Sequence, residues 1–184
     1  MVYGVIGPKL NEEFPVGTLH DYSSHFNQSM PVYHEGFKNA ADIIARELPN
    51  MKHPKDFEDL YDWVCTKLSK KNNPGVNLNG IGLLALYDIS LNIGCNLYPK
   101  VLPKKYVYIH DNLHKEAEAV LGRTLTDRNI VDASLFSNVL PHCSAMEIED
   151  VLCVYSGLIL CKGGFDKEWL KEIPQKFNFS ISNR

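Results

Sequence analysis

Two short stretches of this sequence carry residue types and spacings that could do chemistry. In Gly80-Ile81-Gly82 the glycines reach backbone conformations closed to other residues, and the apolar run beginning at Leu83 reads as a helix opening directly on them. Free amides at the positive end of a helix can hold a phosphate. Lys67, Lys70 and Lys71 before the turn, and Lys100, Lys104 and Lys105 after it, would steer a polyanion to that place if they converge. The second stretch, His110-Asp111-Asn112-Leu113-His114, sets two imidazoles four residues apart with a carboxylate beside the first. On one helix that spacing turns both rings towards a single metal ion, and the acid can activate bound water. The segment straddles a helix start, however, which turns the rings apart, and it offers no third ligand. We therefore assign no metal and expect Asp111 to cap the helix, with the imidazoles exposed.

Other groups are less specific. His142 and Cys143 are a potential base and thiol, but adjacency in sequence does not make a hydrogen-bonded pair, and Cys143 reads as a small buried hydrophobe. Tyr87-Asp88 falls on the helix after the glycine turn, where a buried acid needs a partner. His20, Asp21 and His25, and Tyr33-His34-Glu35, are polar groups that nothing links to one another. The glycine turn has a plain alternative too: it can serve close helix packing alone, with the lysines as solvated helix ends.

The elements that must position these groups are mostly helices. Phe37, Ala40, Ala41, Ile44 and Leu48 form one apolar stripe over residues 34–48, ended by Pro49. Asp56 can cap a second helix with Phe57, Leu60, Tyr61, Val64 and Leu68 on one face. Asn72-Asn73-Pro74-Gly75 is a turn signal leading to the glycine turn. The helix from Leu83 to about Leu97 is apolar on most of its circumference and reads as the central one. Residues 104–110 are rich in aromatic and β-branched side chains but lack an obvious partner, so we expect at most one short isolated strand or hairpin there. A helix follows to Leu121, stopped by Gly122, then another over Thr124 to Leu140. Ser144-Ala145-Met146-Glu147 is a capping box that opens a helix to about Cys161, and a short helix around Asp166 to Ile173 precedes a polar tail.

With 184 residues the chain can bury a core without staples, and its 45% hydrophobic and 22% charged residues are ordinary for a globular protein. A formal net charge of -3 supplies no global field for nucleic acid, so such binding needs a local site. Five cysteines, an odd number without a C-x-x-C pair, argue against a disulfide framework or structural zinc and for a reducing compartment. The N-terminal residues lack a signal-peptide pattern, and the apolar run from Val151 to Cys161 is too short to span a bilayer. These features point to a cytoplasmic protein.

Gly80, Ile81, Gly82 and Ala85 resemble the helix-hairpin-helix DNA-binding motif, whose turn reads leucine, proline, glycine, hydrophobic residue, glycine, with alanine three residues on. Asn79 stands in place of the proline, and residues 72–75 leave little room for a helix directly before the turn. In helix-hairpin-helix DNA glycosylases a catalytic aspartate follows the turn. The resemblance puts that role on Asp111, ahead of a helix ending in Leu121-Gly122, though the separation from Gly82 is about eight residues longer than in the family. Leu84 occupies the place of the lysine nucleophile of bifunctional members, so the implied enzyme is monofunctional. Separately, Gly80 to Gly82, Tyr87-Asp88, Val107 to His110 and Glu149 to Cys153 resemble a group of bacterial proteins to which no activity is attached.

The expectation is an all-α domain over residues 1–184, a compact multi-helix orthogonal bundle with residues 1–30 as an extended arm. Its expected function is nucleic-acid binding through Gly80, Gly82, Lys70, Lys71, Lys104 and Lys105, with DNA as partner, no membrane and no cofactor. A glycosylase-like activity at Asp111 is the enzymatic version. The alternative is a helical protein-interaction or regulatory protein, with a protein partner or a homo-oligomer and without catalysis.

Overall fold

The computed structural model describes residues 31–110 and 113–160 together with Leu170. The N-terminal arm, His20, Asp21, His25, Asp111, Asn112 and the terminal helix expected around residues 166–173 lie outside the described residues. The chain is mainly helical, with one short two-stranded antiparallel sheet. Where the sequence suggests one domain, the described residues gather into two units that meet in sequence at Leu102 and Pro103.

The described residues of the first unit form the helices α1 (Pro31–Glu47), α2 (Phe57–Lys67) and α3 (Leu83–Asn96). Pro31 sits at the start of α1, where a missing amide hydrogen costs nothing. Ala40, Ala41, Ile43 and Ile44 are buried along that helix, whereas Leu48 passes into a short 3-10 turn and is partly exposed. Asp56 caps α2 by accepting the Asp59 amide at 2.8 Å, and Phe57, Leu60 and Val64 face inward. Among the described residues α2 and α3 share the most extensive helix contact, which includes the edge-to-face pair Phe57–Tyr87 with ring centroids 5.8 Å apart. Polar side chains buried on α3 are satisfied within the helix. Ser90 Oγ donates to the Leu86 carbonyl at 2.7 Å and Asn92 Nδ2 to that of Asp88 at 2.9 Å.

In the second unit β1 (Tyr106–Tyr108) pairs with β2 (Ile130–Asp132), Val107 opposite Val131. The expected isolated strand therefore has a partner, and the helix expected over Thr124 to Leu140 is replaced by β2 and a 3-10 turn at Ala133–Phe136. Local side chains decide against the helix. Asp127 Oδ1 accepts the amides of Asn129 and Ile130 at 2.8 and 3.1 Å, and Asp132 accepts that of Ser134 at 2.9 Å, so these aspartates take up amides a continuous helix would use. Between the strands runs α4 (His114–Leu121), ended by Gly122 in the left-handed region at φ 68°. The Ser144–Glu147 capping box opens α5 (Ala145–Val154), which packs on β1; the helix breaks at Tyr155 and resumes as α6 (Ser156–Ile159) instead of running to Cys161. Val107, Ile109, Phe136, Leu140, Ile148 and Leu152 form the heart of this unit's core. Among the described residues no helix is long and apolar enough to cross a membrane.

Candidate functional site

The glycine turn is built on the surface of the first unit. Asn79, Gly80, Gly82 and Leu83 are exposed. Gly80 has φ 86°, a conformation that only glycine takes without strain, and the Ile81 amide donates to the Leu78 carbonyl at 3.2 Å to close the turn. Gly82 is the N-cap of α3 with extended backbone, and it brings no side chain to cap the helix. Its carbonyl accepts the Leu86 amide at 3.0 Å, the first bond of the helix. The amides of Leu83, Leu84 and Ala85 have no acceptor among the described residues, and no described side chain neutralises the positive end of α3.

α1 holds the turn in place. Asn39 Nδ2 donates to the Asn77 carbonyl at 2.9 Å, Asn77 Nδ2 to the Glu35 carboxylate at 3.0 Å, and the Asn79 amide to Asn77 Oδ1 at 3.0 Å. Gly36 lies so close that a Cβ there would come 2.0 Å from the Asn79 carbonyl oxygen. Close packing is thus found at Gly36, whereas a Cβ on Gly82 would meet nothing within 4 Å. Glu35, Gly36, Asn39 and Asn77 give no sign of this in sequence, because they meet over separations of about forty residues.

The lysines fall into two groups. Lys70 and Lys71 are exposed in the first unit, just beyond α2, in a turn pinned by Asn73 Nδ2 donating to the Lys67 carbonyl at 2.6 Å. Neither forms an ion pair with a described residue. Lys71 lines a shallow cleft of about 570 Å³ with Asp62, Cys65, Thr66, Ser69 and Asn72. Lys67, by contrast, is engaged: its Nζ lies 2.7 Å from Glu47 and 5.8 Å from the centre of the Trp63 ring, and this lysine holds the Glu47 carboxyl below its ordinary range. Lys104 and Lys105 belong to the second unit, where Lys105 Nζ lies 4.7 Å over the Tyr106 ring.

The two histidines of the second stretch do not converge. Asp111 lies outside the described residues. His110 precedes α4 in left-handed backbone at φ 46°, and His114 opens the helix, so the two rings do not share one helical face. Both rings are buried, not exposed, with His114 Nε2 3.7 Å from Glu118 Oε1. Among the described residues no group of three histidine, cysteine or acidic side chains is placed to hold a metal. Composition gives no hint of the buried acids of this unit: Glu116, 4% exposed, accepts a hydrogen bond from Ser156 Oγ at 2.5 Å, and Glu149 and Asp150 are buried on α5.

Cys143 is a poor nucleophile. Burial, with the nearby Glu147 carboxylate adding to it, pushes the thiol up to about 12. At pH 8 its thiolate fraction should be on the order of a thousandfold below that of an ordinary thiol. Alkylation of Cys143 by iodoacetamide, followed by peptide mass spectrometry, should accelerate about tenfold per pH unit from 8 to 10. A plateau below pH 9 would show a reactive thiol after all.

No protein-family model, curated protein or solved structure matches this chain, so the resemblances stand on the quoted residues alone.

Proposed function

We propose that this protein binds the phosphate backbone of nucleic acid at the N-terminus of α3, in the manner of a helix-hairpin-helix module. The observation that carries the reading is the exposed helix end behind Gly80 and Gly82, which no described side chain caps, in the same unit as the exposed Lys70 and Lys71. A backbone phosphate supplies what those amides lack, an anionic acceptor, and bonds of this kind need no base identity. α2 and α3 are the two helices of the hairpin in this reading, joined by a longer connection than the motif has, and an orthogonal arrangement of the helices belongs to the same proposal. Lys104 and Lys105 join the interface only if both units meet the same ligand. A cytoplasmic location fits such a ligand and the free cysteines among the described residues. The enzymatic version would have Asp111 activate water for base removal.

The test separates anion binding from packing. Gly82 has the extended backbone of an N-cap and open space for a Cβ, so Gly82→Asp should place a carboxylate on the free amides. Unfolding by urea should show the variant stabilised by about 0.5–1 kcal/mol, while its affinity for a fluorescent DNA duplex at low salt falls at least tenfold. Wild-type affinity that resists both this change and added salt would sink the reading.

A further inference from the structure

We propose that the surface around His53 and Tyr98 is a platform for single-stranded nucleic acid, with Tyr98 stacking on an unpaired base and Lys52, Lys55 and Lys100 holding the flanking phosphates. The inference deepens the nucleic-acid reading by naming a ligand with unpaired bases, and it rests on that reading while using other residues.

Tyr98 is 96% exposed, so both faces of its ring are open. A single exposed apolar side chain is ordinary on a protein surface; what distinguishes this one is how firmly its backbone is held. After α3 ends, the Leu97 amide at 3.4 Å and the Val101 amide at 3.0 Å both donate to the Gly94 carbonyl, drawing the segment into a closed loop with Tyr98 at its tip. Val101 is buried beneath it and packs its backbone against Gly94. His53 joins a second segment to the loop, with Nε2 3.3 Å from the Pro99 carbonyl oxygen and Nδ1 2.9 Å from that of Pro54. A ring presented on fixed backbone loses little freedom when a flat partner stacks on it.

The contact through His53 joins the segment that carries Lys52 and Lys55 to the loop that carries Lys100. All three are exposed, and none forms an ion pair with a described residue. Lys100 lies near enough to Cys95 for its charge to oppose the rise that burial gives that thiol. The adjacent carboxylates are turned to the start of α2: Asp56 Oδ1 accepts the Asp59 amide at 2.8 Å, and Asp59 Oδ2 accepts the Lys55 amide at 3.1 Å. Within residues 51–55 and 97–101, Tyr98 is the one exposed large apolar side chain, so the surface lacks the contiguous apolar area that a protein partner's core or a bilayer needs. Cations spaced around a lone open ring are the composition of a single-strand site, where every base offers a face and the phosphates follow the lysines.

The full-length chain is titrated, by fluorescence anisotropy, into a labelled oligothymidine of roughly ten nucleotides and, separately, into a duplex. Tyr98→Ala should weaken oligothymidine binding on the order of tenfold and leave duplex binding unchanged, while Tyr98→Phe should retain both. Replacing Lys52, Lys55 and Lys100 together by glutamine should lower the slope of log affinity against log salt by about 2. The platform is overturned if oligothymidine is not bound, or is bound equally by the Tyr98→Ala variant. Gly82→Asp separates the two readings: loss of duplex binding with indifference to Tyr98 leaves the helix end standing alone, and dependence on Tyr98 with indifference to Gly82 leaves only the platform.

Discussion

Gly94→Ala should destabilise the protein by about 3 kcal/mol, a large loss for a single methyl group. Helix propensity points the other way, since alanine in a helix interior is favoured over glycine by about 1 kcal/mol. Geometry overrides it. The new Cβ would stand 2.0 Å from the Val101 carbonyl oxygen, 3.1 Å from its carbonyl carbon and 3.2 Å from Leu60 Cδ2. The nearest obstacle is backbone, which cannot rotate away as a side-chain tip can. Either α3 moves off α2 or the 97–101 loop lifts, and lifting it breaks the bond from the Val101 amide to the Gly94 carbonyl. Thermal unfolding followed by circular dichroism should show a midpoint lowered by roughly 6–12 °C, from about 2–4 °C per kcal/mol for a chain of this size. A midpoint equal to the parent's would mean that the loop does not close on the helix as described.

The second expectation concerns Gly36, where the same clash reaches the candidate site. A Cβ at Gly36 would lie 2.0 Å from the Asn79 carbonyl oxygen and 2.9 Å from its amide nitrogen, so Gly36→Ala must push α1 and the glycine turn apart. The bonds from Asn39 to the Asn77 carbonyl and from Asn77 to Glu35 bridge that same seam and would be stretched with it. The expected cost is again about 3 kcal/mol by urea unfolding, with a second consequence for function. Amide exchange at Leu83 to Leu86 should quicken as the turn loses its support, and duplex affinity should fall even under conditions where the variant stays folded. If Gly36→Ala unfolds the protein outright, the larger contrast remains: Gly82→Ala, with open space around its Cβ, should leave stability within about 0.5 kcal/mol of the parent. Equal losses at the two positions would remove the claim that Gly36, rather than Gly82, is the packing glycine.

Both expectations rest on features that the sequence does not display, and the contrast with what it does display has a physical basis. Signals carried within a few residues were readable: the Asp56 cap, the start of α3 at Leu83, the left-handed stop at Gly122 and the Ser144–Glu147 capping box each depend on groups three or four positions apart. The apolar stripe of α1 and the nearly all-round burial of α3 follow from periodicity in the same way. β2 was not readable. Ile130-Val131 fits a helix or a strand by pattern, and its pairing with Val107 is made across more than twenty residues of intervening chain.

The candidate site divides along the same line. By itself the sequence determined that Gly80 and Gly82 form a turn opening a helix, because a glycine pair before an apolar run constrains the backbone locally. Only the tertiary structure decided that this helix end is exposed, that Lys67 is paired with Glu47 while Lys70 and Lys71 pair with no described residue, and that Lys104 and Lys105 fall in the other unit. It also decided that His53 meets the Pro99 carbonyl, beside Tyr98. Exposure, pairing and convergence are properties of distances between residues far apart in the chain, and those distances are set by which surfaces pack, not by the order of residue types.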